Sequence, residues 1–434
     1  MRESSNMLLF NKLCYEMNYA SPNITCSLAL DVMEVDLNLT VLRFAGFPDL
    51  RKSNSTRRTW FWINLIQFLI PHILMVIYYL PIGLNVYSGV NYFFYASNCI
   101  FTITRWFYFM RNNNDINIIL NNICEKEVNG SVTMMKRKVR SRLAQRIRRY
   151  NAVSFSYLAC CAIALIGGFI LYKVKSPSGT SLKPPRRILL FGVWWFTDWH
   201  ENELTYVMLF LWEGVVLMTS LAASIAVNAL ICALLLAVSA RANILSYAAR
   251  TTLMPNKIQR TKRTLSAFRS WICKHQRYLS TLKRINIVFG PMILLSHFEA
   301  IISIIAFSYM SIKVRDQVMS ALCLAPVFGS LLHIFLLSKA GQEVIDMSVR
   351  LSGSVMSIAH LQSGATVSKR IRSILQVLTA RLSVINDRAS GLSYFTVSLG
   401  VFTSILNACV SYLLVLLSFR GPENEPEYFA KKPI

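Results

Sequence analysis

The residues best suited to chemistry lie in the last long apolar segment, where hydroxyl and amide side chains recur at helical spacing. An α-helix turns about 100° per residue, so steps of three and four residues return to one face. Seven positions follow such steps within an arc of roughly 80°. They are Thr396, Gly400, Thr403, Asn407, Ser411, Leu414 and Ser418. Such a polar stripe can line water or form hydrogen bonds with neighbouring helices.

The composition indicates that membrane helices carry this stripe. Of the 434 residues, 54% are hydrophobic and 15% are charged, and the mean hydropathy is +0.43. This combination is typical of integral membrane proteins. About 20 residues cross a hydrocarbon core, and seven segments reach that length. They are residues 60–80, 91–110, 151–172, 204–239, 286–311, 318–338 and 391–419. The fourth and seventh exceed what a bilayer needs, so we expect them to tilt or project into the cytosol.

The distribution of Lys and Arg predicts the orientation, because cytoplasmic segments retain positive charge. Four segments on one side of the membrane carry 35 of the 46 basic residues. They are residues 1–59, 111–150, 240–285 and 339–390. We therefore expect a cytosolic N-terminus and an extracellular C-terminus.

Four N-x-Ser/Thr sequons oppose this orientation, because glycans are attached on the lumenal side. They begin at Asn23, Asn38, Asn54 and Asn129, all in segments assigned to the cytosol. Such short motifs arise often by chance, so the charge distribution outweighs them.

The predicted fold is all-α and polytopic, with seven transmembrane helices. Its parts are a cytosolic segment 1–59, a ligand-sensing bundle 60–338, a cytosolic helical linker 339–390, a pore-lining helix 391–419 and an extracellular tail 420–434. In the linker, "GQEVIDMSVRL" and "SKRIRSILQVLTARLSVI" have the spacing of amphipathic helices. They either pack against neighbouring helices or lie on anionic lipid.

Several function classes are disfavoured. The formal charge of +25 is spread between apolar runs rather than gathered on a soluble surface, so we expect no nucleic-acid partner. The sequence has no HExxH, GxSxG or glycine-rich phosphate loop, so we expect no enzyme. The ten cysteines show no zinc-binding spacing, so we expect neither a metal nor another cofactor.

A family resemblance follows from the end of the stripe. Ser411 and Tyr412, five apolar residues, then Ser418 and Phe419 resemble the C-terminal signature of insect gustatory receptors, which is Thr-Tyr, five hydrophobic residues and Gln-Phe. The stretch "ASGLSYFTVSLGVFTSIL" resembles the aromatic-rich start of the last helix in that family. Length, seven spans and inverted topology also match. Ser418 stands where the family has Gln, which leaves both a divergent gustatory receptor and a related odorant receptor open.

The resemblance implies a ligand-gated, non-selective cation channel in the plasma membrane. It would be a tetramer, homomeric or with related subunits, opened by a small-molecule tastant or odorant and lined by the seventh helix. In this interpretation Asn407, Ser411 and Ser418 replace part of the hydration of an ion, and Leu414 closes the path by dewetting. The absence of acidic residues between Thr396 and Phe419 fits weak ion selectivity.

Ionisable residues within spans are candidates for the ligand site. Glu213, His297 and Glu299 are expected either to edge an outward-opening pocket or to form a hydrogen-bond network between helices. Arg105 is expected to extend its guanidinium to the lipid headgroups.

The outer segment "FGVWWFTDWHENELTY" offers Trp199 and Asp198, an aromatic face beside a carboxylate. This pair suits a sugar or a cationic bitter compound. An interfacial aromatic belt explains the tryptophans equally simply.

Three alternatives remain open. An odorant receptor would require a distinct partner subunit. A G-protein-coupled receptor would place its N-terminus outside. A transporter would show inverted repeats, which are not evident in this sequence.

Overall fold

The computed structural model describes most of the helical part of the chain. The described residues are 37–42, 62, 65–66, 69–70, 73, 86–124, 134–175, 203–253, 261–313, 317–363, 376, 388–391 and 394–418. Within them, the elements with defined bounds are α1 (Val86–Arg111), α2 (Asn113–Cys124), α3 (Met134–Lys175), α4 (Glu203–Leu253), α5 (Thr261–Lys313), α6 (Gln317–Ser363), β1 (Ser390–Gly391), β2 (Phe395–Thr396) and α7 (Leu399–Ser418).

The prediction of an all-α fold is confirmed. The helices α1, α3, α4, α5 and α6 contain, in that order, the predicted spans 91–110, 151–172, 204–239, 286–311 and 318–338. These spans were readable because each is a run of apolar residues long enough to cross a bilayer. Apolar stretches sufficient to span a membrane occur in α4, α5 and α6, and α7 holds a shorter one.

The predicted seventh helix is wrong at its start. The strands β1 and β2 form an antiparallel pair, which we call the hairpin, in which Ser390 pairs with Thr396 and Gly391 with Phe395. The N–H of Tyr394 donates to the carbonyl oxygen of Gly391 at 3.0 Å and closes the turn. The helix α7 begins only at Leu399 and has 20 residues, so it does not exceed the bilayer thickness.

Part of the N-terminal segment packs within the bundle. Residues 37–42 are helical, and Leu39 and Leu42 are buried in the main apolar core. Asn38 is fully buried, so its side chain cannot carry a glycan in this fold. The other three sequons lie outside the described residues. In the predicted first span 60–80, every described position is helical.

Three long helices form the centre of the molecule. The helices α4, α5 and α6 have 51, 53 and 47 residues, which corresponds to about 70–80 Å each. A hydrocarbon core is only about 30 Å thick. Each helix therefore continues well beyond the membrane, and α4 continues past its predicted span to Leu253.

The extensions of these helices pack tightly against one another. The indole N–H of Trp271 donates to the carbonyl oxygen of Leu245 at 3.0 Å, and the hydroxyls of Tyr278 and Ser348 hydrogen-bond at 2.7 Å. The segment "GQEVIDMSVRL" is part of α6, and its Val344 and Leu351 are buried among the helices. Of the two alternatives for this segment, packing against neighbouring helices is therefore the one observed. Of the segment "SKRIRSILQVLTARLSVI" only Gln376 is described, and it is helical.

Candidate functional site

An ion pair occupies the interior of the bundle. The guanidinium of Arg105 on α1 contacts the carboxylate of Glu299 on α5. The side chain of Arg105 is 0% exposed and that of Glu299 is 17% exposed. The expectation that Arg105 reaches the headgroups is therefore wrong, because an acidic partner lies inside the bundle. Burying an unpaired charge costs several kcal/mol, so the two residues depend on each other.

Hydroxyl and amide groups from α4 and α5 complete what we call the buried polar centre, formed by Arg105, Glu299, Ser224, Asn228 and Ser296. The hydroxyl of Ser224 donates to Glu299 Oε2 at 3.0 Å. Arg105 Nη2 donates to Ser296 Oγ at 3.4 Å, and Ser296 donates to Asn228 Oδ1 at 2.7 Å. The centre therefore ties α1, α4 and α5 together.

The polar contacts of α1 continue along one face of the helix. Asn98, Thr102 and Arg105 are separated by four and three residues, which is the spacing of one helical face. The hydroxyls of Thr102 and Ser220 hydrogen-bond at 2.9 Å, and Ser220 also donates to Asn98 Oδ1 at 3.4 Å. This spacing is a signal in the sequence that could have placed Arg105 on the inward face of α1, although it does not identify the acidic partner.

A second close approach joins α3 to α6. The rings of Tyr157 and His333 meet edge to face with centroids 5.7 Å apart. The ring of Tyr157 lies directly on Gly329, where any Cβ atom would overlap it. Glycine at position 329 thus lets α3 approach α6 closely.

The structure separates the three predicted ligand-site residues. Glu213 is fully buried on α4, 11 residues before Ser224, which is about 16 Å along the helix. His297 is buried on α5; its Nδ1 lies 2.7 Å from the carbonyl oxygen of Ile293, and its ring meets that of Phe395 at 5.0 Å. Only Glu299 belongs to the buried polar centre. Trp199 and Asp198 lie outside the described residues.

The six helical members of the predicted stripe all face outward on α7. Thr396 is the exception, because it lies in β2 and not in the helix. The remaining positions, which we call the α7 stripe, are all exposed: Gly400, Thr403, Asn407, Ser411, Leu414 and Ser418. Cys409, on the opposite side, is 2% exposed and packs against α5 and α6 together with Ala300, Ile304, Val327 and Ile334.

The hydroxyls of the α7 stripe bond within their own helix. Thr403 donates to the carbonyl oxygen of Gly400 at 2.9 Å, Ser411 to that of Asn407 at 3.0 Å, and Ser418 to that of Val415 at 2.7 Å. Such hydroxyls tolerate lipid. The amide of Asn407 has two N–H donors and an acceptor, which lipid cannot satisfy. An exposed Asn407 at the middle of the helix therefore requires water or another polypeptide beside it.

The family model described as "7tm Odorant receptor" matches residues 86–410, well over half of the chain. The chain belongs to the 7tm odorant receptor family. As a member of this family it is a multi-pass membrane receptor and not an enzyme. The expectation of an insect chemoreceptor is confirmed, and the match is to the odorant branch that the resemblance left open.

Sequence relatives include odorant receptor coreceptors. That of Anopheles gambiae is 26% identical over 174 residues, which are 38% of this chain and 34% of the relative. That of Drosophila melanogaster is 25% identical over 156 residues, which are 36% of this chain and 31% of the relative. The chain thus spans about a third of the length of the curated relatives it matches.

Solved structures show the fold over nearly the whole chain. The insect olfactory receptor OR5 from Machilis hrabei superposes with a TM-score of 0.73 at 17% identity, over 90% of this chain and 98% of that one. The same receptor in complex with eugenol gives a TM-score of 0.72 at 16% identity, with the same coverage. The seven-transmembrane fold is therefore that of an insect olfactory receptor.

Proposed function

We propose that this protein is an odorant-responsive, ligand-gated, non-selective cation channel of the plasma membrane, and that the α7 stripe lines its pore. The observation that carries the proposal is the outward-facing amide of Asn407 on a helix of membrane-spanning length. In an isolated subunit this amide would meet lipid, at a cost of several kcal/mol. A shared aqueous path removes that cost.

The architecture of α7 supports a pore formed between subunits. One side of the helix is anchored by Cys409 and its apolar neighbours, and the opposite side carries the α7 stripe. Four copies that present this side to a common axis would surround a channel with hydroxyl, amide and leucine side chains. Asn407 and Ser411 replace part of the hydration of an ion, and Leu414 provides the apolar constriction.

The ligand in this proposal is a small odorant that binds next to Glu299. Of the predicted ligand-site residues within the described chain, Glu213 and His297 are buried, whereas Glu299 keeps 17% of its side chain exposed. A ligand that touches Glu299 would act on the ion pair with Arg105 and hence on α1 and α5. The family favours an odorant over the tastant that the sequence resemblance suggested.

Whole-cell recording tests the function. The protein would be expressed alone and together with an odorant receptor coreceptor, after surface delivery is verified, and challenged with a panel of odorants and tastants. The proposal predicts a ligand-evoked current through a path permeable to both sodium and potassium, with a reversal potential near zero. Current from the chain alone would indicate a homotetramer, and current only with the coreceptor a mixed tetramer. No ligand-evoked current in either case would refute the proposal.

Substitution of the two glutamates tests the site. Glu299→Gln keeps the size of the side chain and removes its charge, so the ligand concentration for half-maximal current should shift. Glu213→Gln is the matched control, because it makes the same change on α4 about 16 Å along the helix from Ser224, the residue that bonds Glu299. Equal shifts in the two variants would argue against a ligand at Glu299.

The predicted orientation needs its own test. An epitope tag at the N-terminus should be inaccessible to antibody on intact cells, and a tag at the C-terminus should be accessible. The reverse result would favour the topology of a G-protein-coupled receptor and would end the channel proposal.

A further inference from the structure

The short hairpin before α7 is held by one side chain of α5. Nδ2 of Asn286 donates to the carbonyl oxygen of Arg388 at 2.8 Å, and its Oδ1 accepts from the backbone N–H of Ser390 at 3.1 Å. An extended strand offers this pair of groups to a neighbouring strand. The amide of Asn286 therefore takes the place of a strand at the free edge of β1.

The other edge of β1 pairs with the residues that lead directly into α7. The N–H of Val397 donates to the carbonyl oxygen of Ala389 at 2.8 Å, so the residues before and after the hairpin are joined. The carbonyl oxygen of Ser398 accepts from the N–H groups of Val401 and Phe402 at 3.2 and 3.3 Å. The first turn of α7 is therefore attached to the segment that Asn286 holds.

Two further contacts fix the hairpin against the bundle. The ring of Phe395 meets His297 of α5 edge to face at 5.0 Å. Val397 is fully buried against Gly341 of α6, where a Cβ atom would overlap its carbonyl oxygen and side chain. The hairpin thus lies between α5 and α6. Among the described residues, Asn286 is the one whose side chain forms hydrogen bonds to the hairpin segment.

The helix α5 carries both Asn286, which binds the hairpin, and Glu299, which forms the ion pair with Arg105. Glu299 and Asn286 are 13 residues apart, or about 20 Å along the axis. Pro291 lies between them within the helix. Proline removes one backbone hydrogen bond and makes a bend at that point less costly. A change at Glu299 can therefore alter the angle of the segment that carries Asn286.

We propose that Asn286 is a positioning residue for gating, which makes the start of α7 follow the movement of α5. Its two hydrogen bonds bind the hairpin to α5, and the hairpin leads without a break into the first turn of α7. The inference rests on the proposed function, because it requires that α7 lines a ligand-gated pore.

The test compares Asn286→Ala with wild type in whole-cell and single-channel recordings. The loss of both hydrogen bonds should raise the half-maximal ligand concentration by about tenfold and lower the maximal open probability. Single-channel conductance should stay unchanged, because Asn286 does not line the pore. Asn286→Asp keeps the acceptor and loses the donor, so its shift should be intermediate.

The matched control is Asn112→Ala. The amide of Asn112 also donates to a backbone carbonyl, that of Tyr108 at 2.9 Å, but this bond lies where α1 meets α2 and does not involve the hairpin. Its ligand response should equal that of wild type. If Asn286→Ala fails to reach the surface, Phe395→Leu supplies the second variant, since it removes the ring contact with His297 and retains the strand backbone. It should raise the half-maximal concentration by a smaller factor.

The outcomes separate this inference from the proposed function. A wild-type protein without ligand-evoked current would overturn both. Normal wild-type current, with Asn286→Ala and Phe395→Leu unchanged in ligand sensitivity and open probability, would overturn the inference alone. If Asn286→Ala lowered surface delivery but left the ligand sensitivity of the delivered channels unchanged, Asn286 would have a purely structural role and the inference would likewise be overturned.

Discussion

The buried polar centre and the α7 stripe are both polar surfaces on membrane helices, but they satisfy their hydrogen bonds differently. In the buried polar centre, Arg105, Glu299 and Asn228 bond to residues of other helices within the same chain. In the α7 stripe, Ser411 and Ser418 bond to carbonyl oxygens of their own helix and face outward.

In the proposed function, the buried polar centre serves the single subunit and the α7 stripe serves the assembly of subunits. Polar groups that find partners on other helices stabilise the fold of one chain. Polar groups that stay on the outside of the folded chain require something beyond it. Substitutions in the buried polar centre should therefore change stability first, and substitutions in the α7 stripe should change ion conduction first.

Removal of Arg105 should have the largest effect. Arg105→Ala leaves the Glu299 carboxylate inside the bundle without its partner, which should lower the free energy of unfolding by about 3–5 kcal/mol. Thermal unfolding of the detergent-solubilised protein, followed by size-exclusion chromatography, measures the change. The double variant Arg105→Met with Glu299→Leu removes both charges and should recover much of the lost stability.

The exposed pair of Arg146 and Glu343 is the matched control. Its N and O atoms are 2.8 Å apart, but the two side chains are 53% and 22% exposed. Arg146→Ala should lower the free energy of unfolding by less than about 1 kcal/mol, since water replaces the partner. Similar losses for Arg105→Ala and Arg146→Ala would show that burial does not distinguish the two pairs.

The contact between α3 and α6 should give the next largest effect. Gly329→Ala places a methyl group into the ring of Tyr157 and should destabilise the protein by about 1–3 kcal/mol. Gly353→Ala, on the same helix, meets open space and should stabilise it by about 0.5–1 kcal/mol, because alanine favours helix. The same thermal assay should therefore show shifts of opposite sign. A shift of one sign in both variants would contradict the close approach of Tyr157.

Two asparagines compare the regions directly. Asn228 accepts from Ser296 inside the bundle, so Asn228→Leu should lower stability by about 1–3 kcal/mol and leave single-channel conductance unchanged. Asn407 is exposed on α7, so Asn407→Leu should lower conductance and leave stability unchanged. If the conductance effect occurred in Asn228→Leu instead, the assignment of the two surfaces would be reversed.

The sequence was sufficient for the parts of the fold that local patterns determine. Runs of about 20 apolar residues located the helices that cross the membrane, and the 3.6-residue period placed Ser411 and Asn407 on one side of α7. The exposed side of α7 is the predicted one, although its role in a pore remains a proposal.

Features that depend on distant partners were not predictable in this way. Arg105 and Glu299 are 194 residues apart in sequence, so nothing near Arg105 indicated its ion pair. The hairpin interrupts the stretch that we predict from the sequence as one helix. Asn286 of α5 supplies hydrogen bonds to its backbone, and Gly341 of α6, which has no side chain, leaves room for Val397. Tertiary contacts outweighed local preference here.

Substitution of Leu414 should have the smallest effect on protein stability, and its main effect should be on the current through the closed channel. Leu414→Ser makes the apolar constriction hydrophilic, so ligand-free current should rise severalfold at equal surface delivery. Val401→Ser, on another side of α7, serves as the control and should not raise the ligand-free current. An unchanged leak in Leu414→Ser would place the constriction elsewhere.

The most direct test of the account is the accessibility of single cysteines on α7 to a charged, membrane-impermeant thiol reagent during ligand-evoked current. The reagent should modify the Ser411→Cys channel and block its current while the reagent is applied. The current of the wild-type channel should be unaffected, because Cys409, the cysteine of α7, faces α5 and α6, and the exposed Cys160 lies on α3 and not on the α7 stripe. Equal block of the wild-type current, or a Ser411→Cys channel that the reagent never reaches, would contradict a water-filled path along the α7 stripe.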